Sequence, residues 1–192
     1  MADRPGKRII VGISGASGVI YGERMLRALR DMRGIETHLI ITENGRKLIR
    51  QELKTPVEKI ARLAGRCYDD ADLEAPVASG TFMTAGMVII PCSMKTLSAV
   101  AGSFAQNLLV RAADVTLKER RPLVLVVRET PLHSGHIELM LKASRIGAVI
   151  MPASPGFYGA PRRIEDLVDY VVGKALDALG IPNDIYRRWN GR

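Results

Sequence analysis

The feature that most constrains this chain is a repeated exchange of short, unbroken apolar runs with amphipathic stretches. The runs are Arg8–Ser14 (RIIVGIS), Glu36–Thr42 (ETHLIIT), Met87–Cys92 (MVIIPC), Pro122–Arg128 (PLVLVVR) and Ala148–Ala153 (AVIMPA). Strands without polar alternation are covered on both faces, which is the setting of a parallel sheet between helices. Helical patterns fill the intervals at Gly18–Met32, Gly45–Glu52 with Val57–Leu63, Ala105–Lys118, Ile137–Arg145 and Ile164–Leu179. In the last of these, Ile164, Leu167, Val168, Val171, Val172, Ala175, Leu176 and Leu179 recur at steps of three and four, which predicts one packed stripe. Alternating strand and helix predicts an α/β fold, a Rossmann-like doubly wound parallel sheet of flavodoxin-like order. A length of 192 residues suits a single domain over 1–192, with tails at 1–7 and 183–192.

Composition narrows the function. No uncharged apolar run approaches the ~18 residues that span a bilayer. Met1–Arg8 is basic but has no separate apolar core or small-residue cleavage site, so no membrane is expected and a cytoplasmic location is. Two cysteines, Cys67 and Cys92, suit a reducing compartment and match no zinc spacing. A net charge of +8 asks for an anionic partner. With 5% aromatic residues and the pairs Arg120-Arg121, Arg162-Arg163 and Arg187-Arg188 scattered, nucleic acid is a poor candidate and a phosphorylated small molecule a better one.

Three turns carry the candidate chemistry. Gly12-Ile13-Ser14-Gly15-Ala16-Ser17-Gly18 follows the first strand and opens a helix, where backbone N–H groups meet an anion or a planar ring. It is neither the dinucleotide pattern nor a Walker A loop. Its plain alternative is a tight turn with Ser17 as helix cap. Pro91-Cys92-Ser93-Met94-Lys95-Thr96-Leu97 brings hydroxyls and N–H groups to another helix start. Arg128-Glu129-Thr130-Pro131 ends the fourth strand: Arg128 suits a phosphate, and Glu129 a proton. The alternative there is a surface ion pair between the two. Cys92 has no activating neighbour and reads as a small buried residue. His133 and His136 lack a third metal ligand, so they read as the polar start of a helix and no metal is expected. Arg111, Lys118, Arg120 and Arg121 lie on an amphipathic helix over Asn107–Arg121. The stretches Cys67–Gly80 and Ser154–Arg163 read as long loops, the second placed to cover a site beyond the last strand.

GASG at 15–18, PCSMKTLSA at 91–99, NLLVRAADVTLKERRPLVL at 107–125, RETPL at 128–132 and PGFYGAP at 155–161 together resemble the flavin prenyltransferases. The resemblance runs in order from Arg8 to Trp189. It implies a metal-independent flavoprotein, assembled as a homododecamer, that joins a dimethylallyl group from dimethylallyl phosphate to N5 and C6 of reduced FMN. The prenylated FMN then serves a separate decarboxylase. By matching motif, Gly15, Ala16, Ser17, Thr42, Ser93, Met94, Lys95, Thr96 and Arg128 are implied as FMN contacts. Lys118, Glu129, Tyr158 and Lys174 are implied around the prenyl phosphate, with Glu129, Ser17 and Lys118 catalytic. Arg111, Glu52 and Trp189 line the site as further substrate-binding positions, some of these residues coming from neighbouring subunits. Lys174 stands where some relatives carry Arg. It keeps the charge and loses the fork.

Two other readings compete. A related FMN-dependent decarboxylase of cysteine-containing peptides would need a His on the first helix, whereas His38 falls in a strand. A basic nucleic-acid-binding module would bind with a steep salt dependence and ignore flavin.

Overall fold

The computed structural model describes residues 6–189 and 191. All five apolar runs are strands: β1 (Lys7–Ile13), β2 (Ile35–Ile41), β4 (Gly86–Cys92), β5 (Leu123–Val127) and β6 (Val149–Pro152). A sixth strand, β3 (Arg66–Tyr68), extends the sheet, whose order is β3-β2-β1-β4-β5-β6 with every pairing parallel. Without β3 the order of the five expected strands is second, first, third, fourth, fifth, the flavodoxin-like arrangement. The helices are α1 (Val19–Arg30), α2 (Glu43–Glu52), α3 (Val57–Ala61), α4 (Met94–Ala101), α5 (Leu108–Lys118), α6 (Ser134–Arg145) and α7 (Ile164–Ala178).

Because successive side chains of a strand face opposite ways, β1, β2, β4 and β5 each feed two cores. Ile9, Val11, Ile13, Leu39, Ile41, Val88, Ile90, Val124 and Val126 pack under α1, α2, α3 and α7. Ile10, Ile40, Met87, Ile89, Leu123, Leu125 and Val127 pack under α4, α5 and α6. This double burial is why the runs carry no polar alternation. Among the described residues, no helix is long and apolar enough to cross a membrane.

Several expectations need correction. The stretch Cys67–Gly80 is not all loop: it begins inside β3, registered on β2 at His38↔Arg66, and contains a 3-10 turn at Pro76–Ala78. Three residues are too few to show a period. The helix expected over Ala105–Lys118 is α5, which begins three residues later at Leu108. The helix start at Ser93–Thr96 opens a separate short helix, α4, that ends before Gly102 and Ser103, whose φ is 51°. α2 starts at Glu43, two residues earlier than expected, because Thr42 caps it. Ile164 is 70% exposed and lies outside the α7 stripe, whose buried members begin at Val168. β1 begins at Lys7, inside the expected N-terminal tail, and residues 1–5 of that tail lie outside the described residues. Over its described part the C-terminal tail is tied to α7, with Asn183, Tyr186 and Arg188 bonded to Asp177.

Candidate active site

Helices of opposite sheet faces leave the strands on either side of the β1/β4 boundary, and a cleft of about 550 Å³ opens there at the carboxyl ends. Gly15, Thr42, Ser93, Met94, Lys95, Thr96 and Glu129 all line it. Sequence reasoning missed Glu43, Asn44, Asp70, Phe104, Gln106 and Asn107, which line it too.

Ser14 holds the two strand ends together. Fully buried, its hydroxyl donates to the Pro91 carbonyl at 2.9 Å and accepts from the Ser93 N–H at 2.8 Å. Beyond it Ala16 is buried and Ser17 exposed. The cap of α1 is Gly18 and not Ser17. Gly18 has φ 96°, a left-handed conformation that costs glycine least. A carboxylate from elsewhere completes the cap: Glu52 Oε2 accepts from the N–H groups of Gly18 at 2.8 Å and Val19 at 3.2 Å. Negative charge at a helix N-terminus is favourable, so Glu52 already occupies the anion-friendly end of α1.

The other helix starts face the cleft with their own caps. Thr42 Oγ1 accepts from the Gly45 N–H at 3.1 Å. Ser93 Oγ accepts from the Thr96 N–H at 3.3 Å and donates to Thr96 Oγ1 at 3.1 Å. Met94 and Lys95 are the first residues of α4, whose N–H groups have no acceptor within the helix. Asn107 Oδ1 caps α5 through Val110 at 3.1 Å. Its amide donates to Asp70 Oδ2 at 2.7 Å, and the Leu109 N–H donates to Asp70 Oδ1 at 2.9 Å. Burial pushes the Asp70 carboxyl above the usual range, against the pull of these two hydrogen bonds. An Asn ahead of Leu-Leu-Val is a legible cap signal. Asp70 had none, since a long-range partner in a loop leaves no local pattern.

Arg128 and Glu129 do not pair with each other. Arg128 Nε donates to the Ser17 carbonyl at 3.1 Å, tying the end of β5 to the turn before α1. Glu129 is exposed on the cleft rim, accepting at Oε1 from the Thr130 N–H at 3.0 Å. Cys92 is fully buried, which pushes its thiol up to about 12 and leaves no thiolate at neutral pH. His133 caps α6, and its ring stacks on His136 at 3.6 Å. Among the described residues no group of three His, Cys, Asp or Glu gathers as a metal centre.

The remaining expected residues stand apart from the cleft within one chain. α5 runs from the cleft to its far end, ~16 Å along its axis at 1.5 Å per residue. Lys118 is at that far end, ion-paired with Glu119. Arg111 Nε donates to the Ala78 carbonyl at 3.2 Å and pairs with Asp114 at the same distance. Lys174 is on the exposed side of α7. Tyr158, in the loop after β6, is exposed, with the rings of Tyr170 and Trp189 at 6.3 Å and 6.2 Å. The expected grouping of Lys118 and Lys174 with Glu129 is therefore not made inside a single chain.

This fold, with a phosphate-friendly cleft at the strand-order reversal, defines a flavodoxin-type nucleotide binder. The family model described as Flavoprotein matches residues 2–176. The flavin prenyltransferase UbiX of Methanothermobacter thermautotrophicus is 54% identical over 186 residues, 97% of each chain. The crystal structure of AnUbiX (PadA1) in complex with FMN and dimethylallyl pyrophosphate is similar at TM-score 0.95 and 43% identity, covering 97% of this chain and 99% of that one. A dodecameric FMN-dependent UbiX-like decarboxylase from Escherichia coli O157:H7 is similar at TM-score 0.93 and 43% identity, covering 96% and 100%. The chain belongs to the flavoprotein family and, within it, to the flavin prenyltransferases.

Proposed function

We propose that the chain, acting as one flavin-binding domain, transfers a dimethylallyl group from dimethylallyl phosphate to N5 and C6 of reduced FMN, making a prenylated flavin for a separate decarboxylase. The observation that carries this reading is the cleft in which the turns of β1, β2 and β4 meet Glu129. Its residues suit FMN. At Gly15 a Cβ would stand 2.6 Å from the Asn44 Cβ, so the turn is closed to any side chain and presents bare backbone. Lys95 and the first N–H groups of α4 suit a phosphate. Bound reduced FMN supplies the electron-rich nitrogen and carbon that accept the prenyl group.

The chain's own residues do the rest. Arg128 fixes the Ser17 turn, and Glu129 takes up a proton at its carboxylate with Ser17 as relay. As the allylic C–O bond breaks, its electron pair leaves with the phosphate. Lys118, Lys174 and the Tyr158 hydroxyl hold that anion. Since Lys118 lies at the far end of α5 from its own cleft, it serves the cleft of a neighbouring copy, and the working form is a closed homo-oligomer, a dodecamer. Assembly also excludes the water that would quench an allylic cation. A cytoplasmic setting belongs to the same reading, supported by Cys67 and Cys92 standing as free thiols.

The test is an anaerobic incubation with reduced FMN and dimethylallyl phosphate, run in parallel with the diphosphate, followed by mass analysis of the flavin. A gain of one isoprene unit is expected, undiminished by EDTA. An unchanged flavin mass with both donors overturns the reading.

A further inference from the structure

After α7 the chain turns back along that helix without regular structure from Ile181 to Trp189. Holding such a segment costs backbone conformational entropy at every residue, so something must offset it. Buried Ile181 contributes at one end. At the other the restraint is polar and converges on Asp177 of α7. Its Oδ2 accepts from the Tyr186 hydroxyl at 2.6 Å and from Arg188 Nη1 at 3.0 Å. Its Oδ1 accepts from Arg188 Nη2 at 2.7 Å and from the Asn183 amide at 2.9 Å. A two-pronged Arg–carboxylate pair fixes orientation as well as distance.

The tail's seat is shaped for it. A Cβ at Gly173 would stand 2.2 Å from Tyr186 Cδ1, so the ring lies where only glycine leaves room. From Tyr186 a row of aromatic rings leads outward: Tyr170 at 5.4 Å, Tyr158 at 6.3 Å from Tyr170, and Trp189 at 6.2 Å from Tyr158. Arg188 holds the Asp177 carboxyl below the usual carboxylate range, and burial, then Asp177 itself, pushes the Tyr186 hydroxyl up to about 12. The network is thus fully formed at neutral pH.

We propose that Asp177 is a positioning residue: through Tyr186 and Arg188 it fixes the C-terminal segment so that Trp189 stands beside Tyr158 and walls the prenyl-phosphate side of the site. Asp177 touches neither substrate nor flavin. This rests on the function proposed above, and the experiment separates the two. Trp189 is the only tryptophan, so its time-resolved fluorescence anisotropy reports the tail without reference to activity. Asp177→Asn removes the charge that holds Arg188 at constant shape. Gly173→Ala evicts the Tyr186 ring with all charges kept, and it favours the helix intrinsically, so α7 is not the casualty.

On the full-length protein, both variants are expected to add a fast local component to the Trp189 anisotropy decay. Both should also raise the KM for dimethylallyl phosphate about tenfold while kcat stays within about threefold and FMN affinity is unchanged. Unchanged anisotropy in both variants overturns the latch, whatever the kinetics do. A mobile Trp189 with an unchanged KM overturns its role at the site. Wild-type protein inactive toward both donors would overturn the proposed function instead, and with it the substrate half of this proposal, leaving the anisotropy to decide the latch.

Discussion

At Glu129 the carboxylate is exposed and bonded only to the next residue's N–H, so replacing it disturbs little structure. Glu129→Gln is expected to bind FMN as the parent does and to lose ~10²–10⁴-fold in single-turnover prenylation, the range for a positioned acid–base group. A wild-type rate would return the proton to the departing phosphate. A second residue sets an acid limit on stability. His38 is buried, its Nδ1 2.8 Å from the Tyr68 hydroxyl and its Nε2 without a hydrogen-bond partner. Burial lowers its pKa first; Glu36 opposes that, and Arg8 and Arg66 reinforce it. Below the ordinary value of ~6.5 the unfolded chain therefore binds the proton that the native chain refuses, and stability falls as pH drops. Thermal midpoints between pH 7 and pH 5 should show this loss, and His38→Phe, which keeps a ring against Tyr68 and Phe82, should flatten it. Neither property of His38 was legible in the sequence, where it is one polar residue in an apolar run. Glu129 was legible because the charged pair Arg128-Glu129, coming directly after five buried residues, must be met by water or a partner.

Among the elements, the runs of β1, β2, β4 and β5 announced themselves because burial on both faces erases polar alternation, and the ends of the first three placed Gly15, Thr42 and Ser93 at one edge. The run of β6 is as apolar, yet this edge strand leaves Val149 exposed. β3 and α4 were harder to see. β3 has three residues and gains its pairing only from β2, and α4 is separated from α5 by a turn that lacks proline. The start of α5 lies between these cases, with the Asn107 cap visible and its Asp70 partner not. Asn107→Ala removes the cap on Val110 and one of the two hydrogen bonds that offset Asp70's burial. The loss of the cap alone is worth about 1 kcal/mol, and a lowered denaturant midpoint at unchanged slope would register it. FMN affinity should fall as well, since the same two side chains line the cleft.

For the whole molecule, one flank is unfinished in the isolated chain. Ile137 and Leu141 of α6 and Val149 of β6 are all more than 40% exposed, and α6 buries only Ala143. Apolar surface gathered on one flank suits the contact between copies that the proposed oligomer requires. Leu141→Asp is expected to shift light scattering toward smaller species and to abolish turnover, even though the substitution lies outside the cleft. The +8 charge predicted an anionic partner but not an oligomer, because patches form from residues distant in sequence. The length of α5 carries a genetic consequence. With Lys118 at the end remote from its own cleft, the proposed function has Lys118→Ala and Glu129→Gln damage different subunits' contributions to one reaction centre. Co-expressed in equal amounts, the two inactive alleles should complement each other: random mixing leaves about a quarter of the composite centres with both residues intact. A centre built inside one chain would leave such a mixture dead.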